Sequence, residues 1–345
     1  MDFIPESFVQ RVKTFAGRYA AACILCACVI VFAVTDTSLI SLRSIRDVFS
    51  NAAPLLISSA ATALCLFAGY IDLSAGSAAV FAGIIAGSFV QAAETAGRFF
   101  PSLPPIPFFI VIPAVLLLFF AIGACNGFII KKFFVPPWAA TLGTGLLLSA
   151  LSRVYLYDQD ISQKVLEGFT KGYTFFGAGY IGASPVYSIP FAVIFSIAVF
   201  ALLLIVIKTF FPVFNLPVLH KEVPLLWPAY PGDFTLKETM FLYGITASLF
   251  ALSGIMISAR AGSASAVSGL EFQIKPLIVC FIASLSLFGG RGNWTALVAS
   301  VLIFCAFTYA ADFIGINRFV SLCICAVIFL ASLLTDIRAR RRHAL

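Results

Sequence analysis

The chain has 345 residues, of which 61% are hydrophobic and only 11% are charged, and its formal net charge is +7. Soluble domains carry about 25% charged residues, so this composition excludes an ordinary soluble protein and indicates an integral membrane protein. Basic segments held at an anionic membrane surface account for the positive charge, and no nucleic-acid partner is needed.

Apolar runs set the architecture, because a helix needs about 20 mostly apolar residues to cross a bilayer. Ten such runs lie between charges, prolines and glycines, near residues 18-35, 51-69, 74-93, 107-130, 137-156, 188-208, 238-258, 275-289, 294-313 and 317-335. The sequence therefore predicts an all-α integral membrane protein with about ten transmembrane helices. Residues 1-345 are expected to form a single polytopic domain.

Basic residues near a span resist translocation and therefore predict orientation. They precede the first run, follow the fourth run at Lys131 and Lys132, and follow the last run between 338 and 342. We expect both termini and the loop at Lys131 to be cytoplasmic. Arg43 and Arg46 then lie outside, against the rule.

Three long segments separate the runs. Residues 94-106 and 157-187 are expected outside, and the second of these carries acidic, aromatic and glycine residues. Residues 209-237 contain five prolines and are expected to face the cytoplasm.

The sequence contains no recognisable catalytic or metal-binding motif. The only histidines, His220 and His343, have no cysteine or carboxylate cluster at metal-ligand spacing. No glycine-rich nucleotide-binding loop with its lysine occurs, and the serines have no usable base nearby. We therefore expect no catalytic residue, no metal and no cofactor bound by this chain.

Asp72 is the one carboxylate near the start of the apolar stretch 67-90, where it is followed by Ser74. One interpretation is that Asp72 or Ser74 caps a helix in a tight connection between two spans. Another is that a carboxylate at membrane depth faces the protein interior or a water-filled path. The two interpretations are compatible, since a capped helix start can itself line the interior.

Residues 67-87 weakly resemble residues 284-304, because in each segment a glycine-rich polar break interrupts an apolar stretch. Transporters are often built from two related halves and bind substrate at interrupted helices. A transporter is therefore the class of protein that these residues favour.

The polar breaks carry short motifs that resemble a known family. They are Gly69-Tyr70-Ile71-Asp72-Leu73-Ser74-Ala75-Gly76, Asn126-Gly127, Thr141-Leu142-Gly143-Thr144, Arg260-Ala261-Gly262-Ser263-Ala264, Leu270-Glu271-Phe272-Gln273 and Gly289-Gly290-Arg291-Gly292. On these motifs the chain resembles the permease subunits of bacterial ATP-binding-cassette (ABC) importers for monosaccharides, of the ribose and galactose type. These motifs follow one another in order, and further matches at Phe100-Pro101 and from Tyr309 to Asn317 extend the resemblance over roughly residues 50 to 335.

The resemblance implies the partners and the location of the protein. It implies cytoplasmic ABC ATPase subunits that use ATP, an extracytoplasmic sugar-binding protein, and a second permease copy or a sister permease in the lipid bilayer. The location implied is the bacterial cytoplasmic (inner) membrane. Galactose or glucose is the expected sugar, while ribose, another pentose or a nucleoside remains open.

The resemblance also implies which residues line the translocation path or form its structural breaks. They are Asp72, Ser74, Asn126, Thr141, Thr144 and Glu271. Each also has a simpler interpretation: Thr141 and Thr144 can bond their own helix backbone, and Arg260 and Glu271 can be solvated or paired beside an outer loop.

Residues 209-237 depart from the family pattern, because they lack the short Gly/Ala-rich segment that docks on the ATPase. Prolines make a regular coupling helix unfavourable there. We expect Trp227, Leu226 and Phe214 to supply the ATPase contact instead; the alternative is a surface loop with an aromatic residue at the membrane interface. Gln273 also replaces a family acid, and Lys275 follows it.

Two other classes stay open from the sequence. In a stand-alone secondary transporter, Asp72 or Glu271 carries protons or ions. In a permease-derived protein with altered ATPase coupling, the divergent loop no longer transmits ATP-driven motion.

Overall fold

The computed structural model describes residues 19-157, 165-182, 188-210, 234-266, 269-286 and 292-341. Within these ranges the chain is mostly helical. The α-helices are α1 (Ala20–Thr35), α2 (Leu42–Phe67), α3 (Ala75–Phe89), α4 (Phe108–Phe133), α5 (Pro137–Tyr155), α6 (Lys171–Ala178), α7 (Phe191–Phe210), α8 (Leu236–Ala261), α9 (Gly269–Ile282), α10 (Trp294–Ile314) and α11 (Arg318–Arg341). A short 3-10 helix covers Thr37–Ile40, and the two-residue strands are β1 (Leu166–Glu167), β2 (Tyr180–Ile181), β3 (Ile189–Pro190) and β4 (Ser263–Ala264).

Each of the ten predicted runs overlaps one helix, and the short helix α6 was not predicted. The prediction for α2 began too late, because the helix starts after the N-cap Ser41, whose side chain accepts a hydrogen bond from the backbone of Ser44. The prediction for α9 was displaced toward higher numbers. There Pro276 lies inside the helix instead of marking its start.

Five helices in the described part of the chain, namely α2, α4, α7, α8 and α10, are long and apolar enough to cross a membrane. Shorter apolar helices are α1, α3 and the part of α11 from Phe319 to Leu334. The mostly helical architecture is thus confirmed, and its long apolar helices are compatible with a membrane permease. The count of ten spans stays a prediction.

Helix α8 is the central element, since it contacts α2, α3, α4 and α6. It begins with a capping box in which Thr235 and Glu238 exchange side-chain to backbone hydrogen bonds. Small residues let its neighbours approach closely: a Cβ atom at Gly254 would overlap the carbonyl oxygen of Ala79 in α3. A Cβ atom at Gly123 in α4 would likewise overlap the backbone of α8.

The connection between α5 and α7 is tied to the end of α8. Strand β1 pairs antiparallel with β4, and β2 pairs antiparallel with β3. Helix α6 is fixed by the hydroxyl of Tyr173, which lies 2.6 Å from the Ser258 hydroxyl of α8. The described part of the predicted outer segment 157-187 is therefore ordered by contacts with α8.

Helices α2 and α9 end in the same way. The amide of Tyr70 donates to the carbonyl of Cys65 at 2.9 Å, and the amide of Leu285 donates to the carbonyl of Cys280 at 3.0 Å. The residue before each donor has a left-handed backbone: φ is +75° at Gly69 and +57° at Ser284. The two weakly similar sequence segments therefore begin at helix ends of the same geometry, and each end is followed by another helix.

Candidate functional site

The connection between α2 and α3 is the first part of the candidate site. Asp72 is only 4% exposed there. Its Oδ1 atom accepts hydrogen bonds from the Ser74 amide at 2.8 Å and from the Ser74 hydroxyl at 2.6 Å. Asp72 thus pairs the backbone N–H of Ser74, the N-cap residue of α3, and Ser74 itself makes no side-chain cap bond. The bond closes a local turn within the connection, and a side-chain cap on the first turn of α3 stays a prediction.

Two neighbouring helices hold this connection in place. The hydroxyl of Thr141 in α5 accepts from the Leu73 amide at 3.0 Å and donates to the Pro137 carbonyl at 2.8 Å. From the other side, the Tyr243 hydroxyl in α8 donates to the Ile71 carbonyl at 3.3 Å. Irregular backbone inside a membrane protein needs such partners, because no bulk water is present to pair its polar groups.

The connection lies within the helical layer and not beyond its end. At 1.5 Å per residue, Tyr243 is about 10 Å from the first residue of α8 and about 27 Å from the last. Since Tyr243 contacts Ile71, Asp72 lies at a similar level. The second carboxylate oxygen of Asp72 is buried and has no hydrogen-bond partner among the described residues.

Asn126 and Thr144 form a separate polar contact between α4 and α5. The Thr144 hydroxyl donates to the side-chain oxygen of Asn126, which is buried. The simpler interpretation, that Thr144 bonds only its own helix, is therefore wrong for its side chain. It is correct in part for Thr141, which bonds both Pro137 and the α2–α3 connection.

The start of α9 is the second polar element of the site. A Cβ atom at Gly76 would overlap the carbonyl oxygen of Gly269 and the side chain of Gln273, so the first turns of α3 and α9 are in direct contact. Glu271 lies in the first turn of α9, and the interpretation that it is paired is confirmed by its contact with Lys275. The outer position of the loop before α9 stays a prediction. Lys275 forms an ion pair with Glu271 at 3.2 Å, one helical turn away.

A cavity of about 200 Å³ opens between α3, α8 and the start of α9. Small residues of α3 and α8, the ring of Phe272 and three serines line it, the serines being Ser258, Ser263 and Ser265. Sequence reasoning missed these serines as site residues. The signal that pointed near them was the motif Arg260-Ala261-Gly262-Ser263-Ala264.

The predicted ATPase contact residues Trp227, Leu226 and Phe214 lie outside the described residues, as does Arg291. Their roles stay predictions. The structure therefore brings Asp72, Ser74, Thr141 and Tyr243 together, places Glu271 at the neighbouring helix start, and links Asn126 to Thr144.

Comparisons with known proteins bear on the whole chain. No family model and no solved structure matches it. A galactose/methyl galactoside import permease protein of Escherichia coli (strain K12) is 25% identical over 320 residues, which is 91% of each chain. A ribose import permease protein of Haemophilus influenzae is 26% identical over 309 residues, or 86% of this chain and 84% of that protein.

The chain is similar to these sugar import permeases over most of its length. The resemblance inferred from the motifs at the polar breaks is thereby confirmed. A probable ABC transporter permease protein of Escherichia coli (strain K12) is also 24% identical, over 99% of this chain and 97% of that protein. Among these permease relatives the sugar differs, so the comparison does not fix the sugar of this chain.

Proposed function

We propose that this chain is the membrane permease subunit of an ABC sugar importer and forms the translocation path for a monosaccharide. One structural observation carries the proposal: the interrupted pair α2 and α3 has its polar connection, with buried Asp72, inside the helical layer. Interrupted helices at membrane depth occur where a transporter meets its substrate. Similarity to permease proteins over most of the chain supports the same proposal independently of this geometry.

In this proposal the chain is one polytopic domain of ten spans in the bacterial inner membrane, with both termini cytoplasmic. It performs no covalent chemistry and binds no cofactor. Cytoplasmic ATPase subunits use ATP, and a second permease copy or a sister permease completes the path. ATP binding changes the populations of inward-open and outward-open states through the cytoplasmic loops.

An extracytoplasmic binding protein delivers the sugar to the segment 157-187 in this arrangement. Contact between β1 and β4 joins that segment to the end of α8 and to the loop before α9. Docking there would therefore act directly on the helices that line the candidate site. Permeation requires many weak hydrogen bonds, because a tight site would retain the sugar.

Galactose or glucose is the proposed cargo, with ribose, another pentose or a nucleoside as alternatives. The test is uptake of a panel of labelled sugars into vesicles that contain the permease, its ATPase and its binding protein. ATP-dependent accumulation of one monosaccharide supports the proposal. Accumulation without the ATPase, driven by a proton gradient, contradicts it.

One observation favours a second candidate, a proton-coupled secondary transporter. The second carboxylate oxygen of Asp72 is buried and has no hydrogen-bond partner in the described part of the chain. An oxygen without a protein partner is available to bind a transported proton. Glu271 argues against this candidate, because its charge is already compensated by Lys275. Copurification of an ATPase subunit with the permease distinguishes the two.

A further inference from the structure

The cavity between α3, α8 and α9 contains unused hydroxyl groups. Ser263 and Ser265 are half-buried, and neither side chain makes a hydrogen bond with the described residues. The third serine, Ser258, differs because its hydroxyl is engaged by Tyr173 and by the Ile255 carbonyl. Their hydroxyls are partly exposed in the open cavity, so they can bond water or the polar groups of a ligand that enters it.

The rest of the wall is apolar and close-fitting. Phe272 supplies an aromatic ring, while Ala79, Gly83 and Gly254 present almost bare backbone. Small-molecule sites combine such apolar surface with a few placed polar groups. A sugar ring matches this lining, because its C–H face is apolar and its edge carries hydroxyls.

The volume sets the size of the ligand. An enclosed cavity of about 150 Å³ is sufficient to hold benzene. The open cavity of about 200 Å³ therefore has room for a single sugar ring. A disaccharide, with twice the volume of one ring, does not fit.

Charge sets the class of ligand. The described residues that line the cavity are alanine, glycine, valine, isoleucine, serine and phenylalanine, and the Glu271–Lys275 ion pair is not among them. Because the described lining carries no charged side chain, a charged ligand would find no ionic partner there. This arrangement favours a neutral polyol over a sugar acid or an amino sugar.

We propose that this cavity is a holding site within the chain for one neutral monosaccharide on its way through the permease, with Ser263, Ser265 and Phe272 as its contact residues. The inference rests on the proposed function, which it makes more specific. It assigns the sugar a place beside the start of α9, one helix away from the connection at Asp72.

Cysteine protection tests the site directly and without transport. Ser265→Cys is introduced into the full chain with its nine native cysteines replaced, and the protein is placed in lipid nanodiscs. The rate of labelling by a small methanethiosulfonate is then measured with and without millimolar D-galactose, D-glucose, D-ribose, lactose or D-glucuronate. We expect a neutral monosaccharide to slow labelling several-fold, and lactose and glucuronate to have no effect.

The matched control is Ala96→Cys, an exposed position in the loop after α3, where no sugar should change the labelling rate. Equal protection at both positions, or no protection of Ser265→Cys by any neutral monosaccharide, overturns the proposal. Protection by glucuronate as strong as by glucose overturns the assignment of a neutral ligand.

Uptake by the assembled importer separates this inference from the proposed function. Ser265→Leu fills the cavity and should reduce uptake about tenfold or more, because the loss of one hydrogen bond to the sugar lowers affinity by about tenfold. Ser248→Ala, which removes a hydroxyl of α8 that bonds Leu116 instead, should leave uptake nearly unchanged. If the unmodified importer transports a sugar but Ser265→Leu does so equally well, the holding site is wrong and the permease function stands. If the unmodified importer transports no sugar, the permease function fails, and the protection experiment alone decides the site.

Discussion

Thr141 and Leu73 are joined by a 3.0 Å hydrogen bond between helices, with the Thr141 hydroxyl accepting from the Leu73 amide and donating to the Pro137 carbonyl at 2.8 Å. One hydroxyl thereby pairs both a helix carbonyl and the irregular backbone ahead of α3. Its geometry explains how the connection between α2 and α3 is held at a fixed position within the helical layer.

Replacement of Thr141 by Val should destabilise the protein by about 1–3 kcal/mol, because the Leu73 amide is left buried and unpaired. Thr141→Ser keeps the hydroxyl and should recover most of this loss. Thermal unfolding of the purified protein measures both. The control is Thr308→Val, whose hydroxyl bonds only carbonyls of its own helix. Equal shifts for the two valine variants would remove Thr141 from its proposed role.

Substitutions at Asp72 separate capping from ionisation. Asn caps helix starts about as well as Asp but does not titrate near neutral pH. Asp72→Asn should therefore preserve assembly and sugar uptake, whereas Asp72→Ala and Asp72→Leu should lose uptake through loss of the acceptor for Ser74. A normally assembled Asp72→Asn variant without uptake would support the proton-coupled alternative.

Gly69 ends α2 with φ at +75°, a conformation that costs an L-residue about 1–2 kcal/mol. Gly69→Ala should lower the free energy of unfolding by about that amount, and Gly69→Asn should be less harmful because Asn tolerates this region. Gly143→Ala is the matched control, since nothing lies within 4 Å of its added Cβ atom. Its helical position predicts no loss, or a gain of up to about 1 kcal/mol. The three variants are compared by thermal unfolding, and equal losses for Gly69→Ala and Gly143→Ala would contradict the assignment.

Glu271 and Lys275 should behave as a pair. Their side chains are 26% and 32% exposed, so breaking the pair should cost more than the ~0.2–1 kcal/mol of a surface pair and less than the ~3–5 kcal/mol of a fully buried one. Lys275→Met should therefore reduce stability. The double variant with Glu271→Gln should restore part of it, because no uncompensated charge remains. A double-mutant cycle by thermal unfolding measures the coupling, and additive effects would show that the two charges act independently.

Trp227 tests the proline-rich segment, which lies outside the described residues. If Trp227 contributes an apolar anchor to the ATPase interface, Trp227→Ala should weaken ATPase copurification and uptake while membrane insertion stays normal. Phe210→Ala, on the exposed end of α7, is the comparison within the described part of the chain. Unchanged copurification and uptake of Trp227→Ala would exclude this segment from coupling.

Local sequence determined which parts of the chain form helices. An apolar segment inside a bilayer must pair its own backbone N–H and C=O groups, which an α-helix does. The length and composition of the apolar runs therefore predicted each long helix. The same reasoning located the break at Asp72, because a carboxylate with Gly69 and Ser74 interrupts the apolar pattern. It failed at the start of α2, which the N-cap Ser41 decides, and at α9, which begins at Gly269 and continues through Pro276.

Only the tertiary structure decided which polar residues meet. Thr141 is far from Leu73 in sequence, and Gly269 and Gln273 reach the start of α3 because Gly76 has no Cβ atom. Gly254 likewise allows α3 and α8 to touch near Ala79, beside the cavity that Phe272 lines. Such contacts depend on the three-dimensional fit of small residues between helices, and the periodicity of a single helix contains no information about the partner that fills the space.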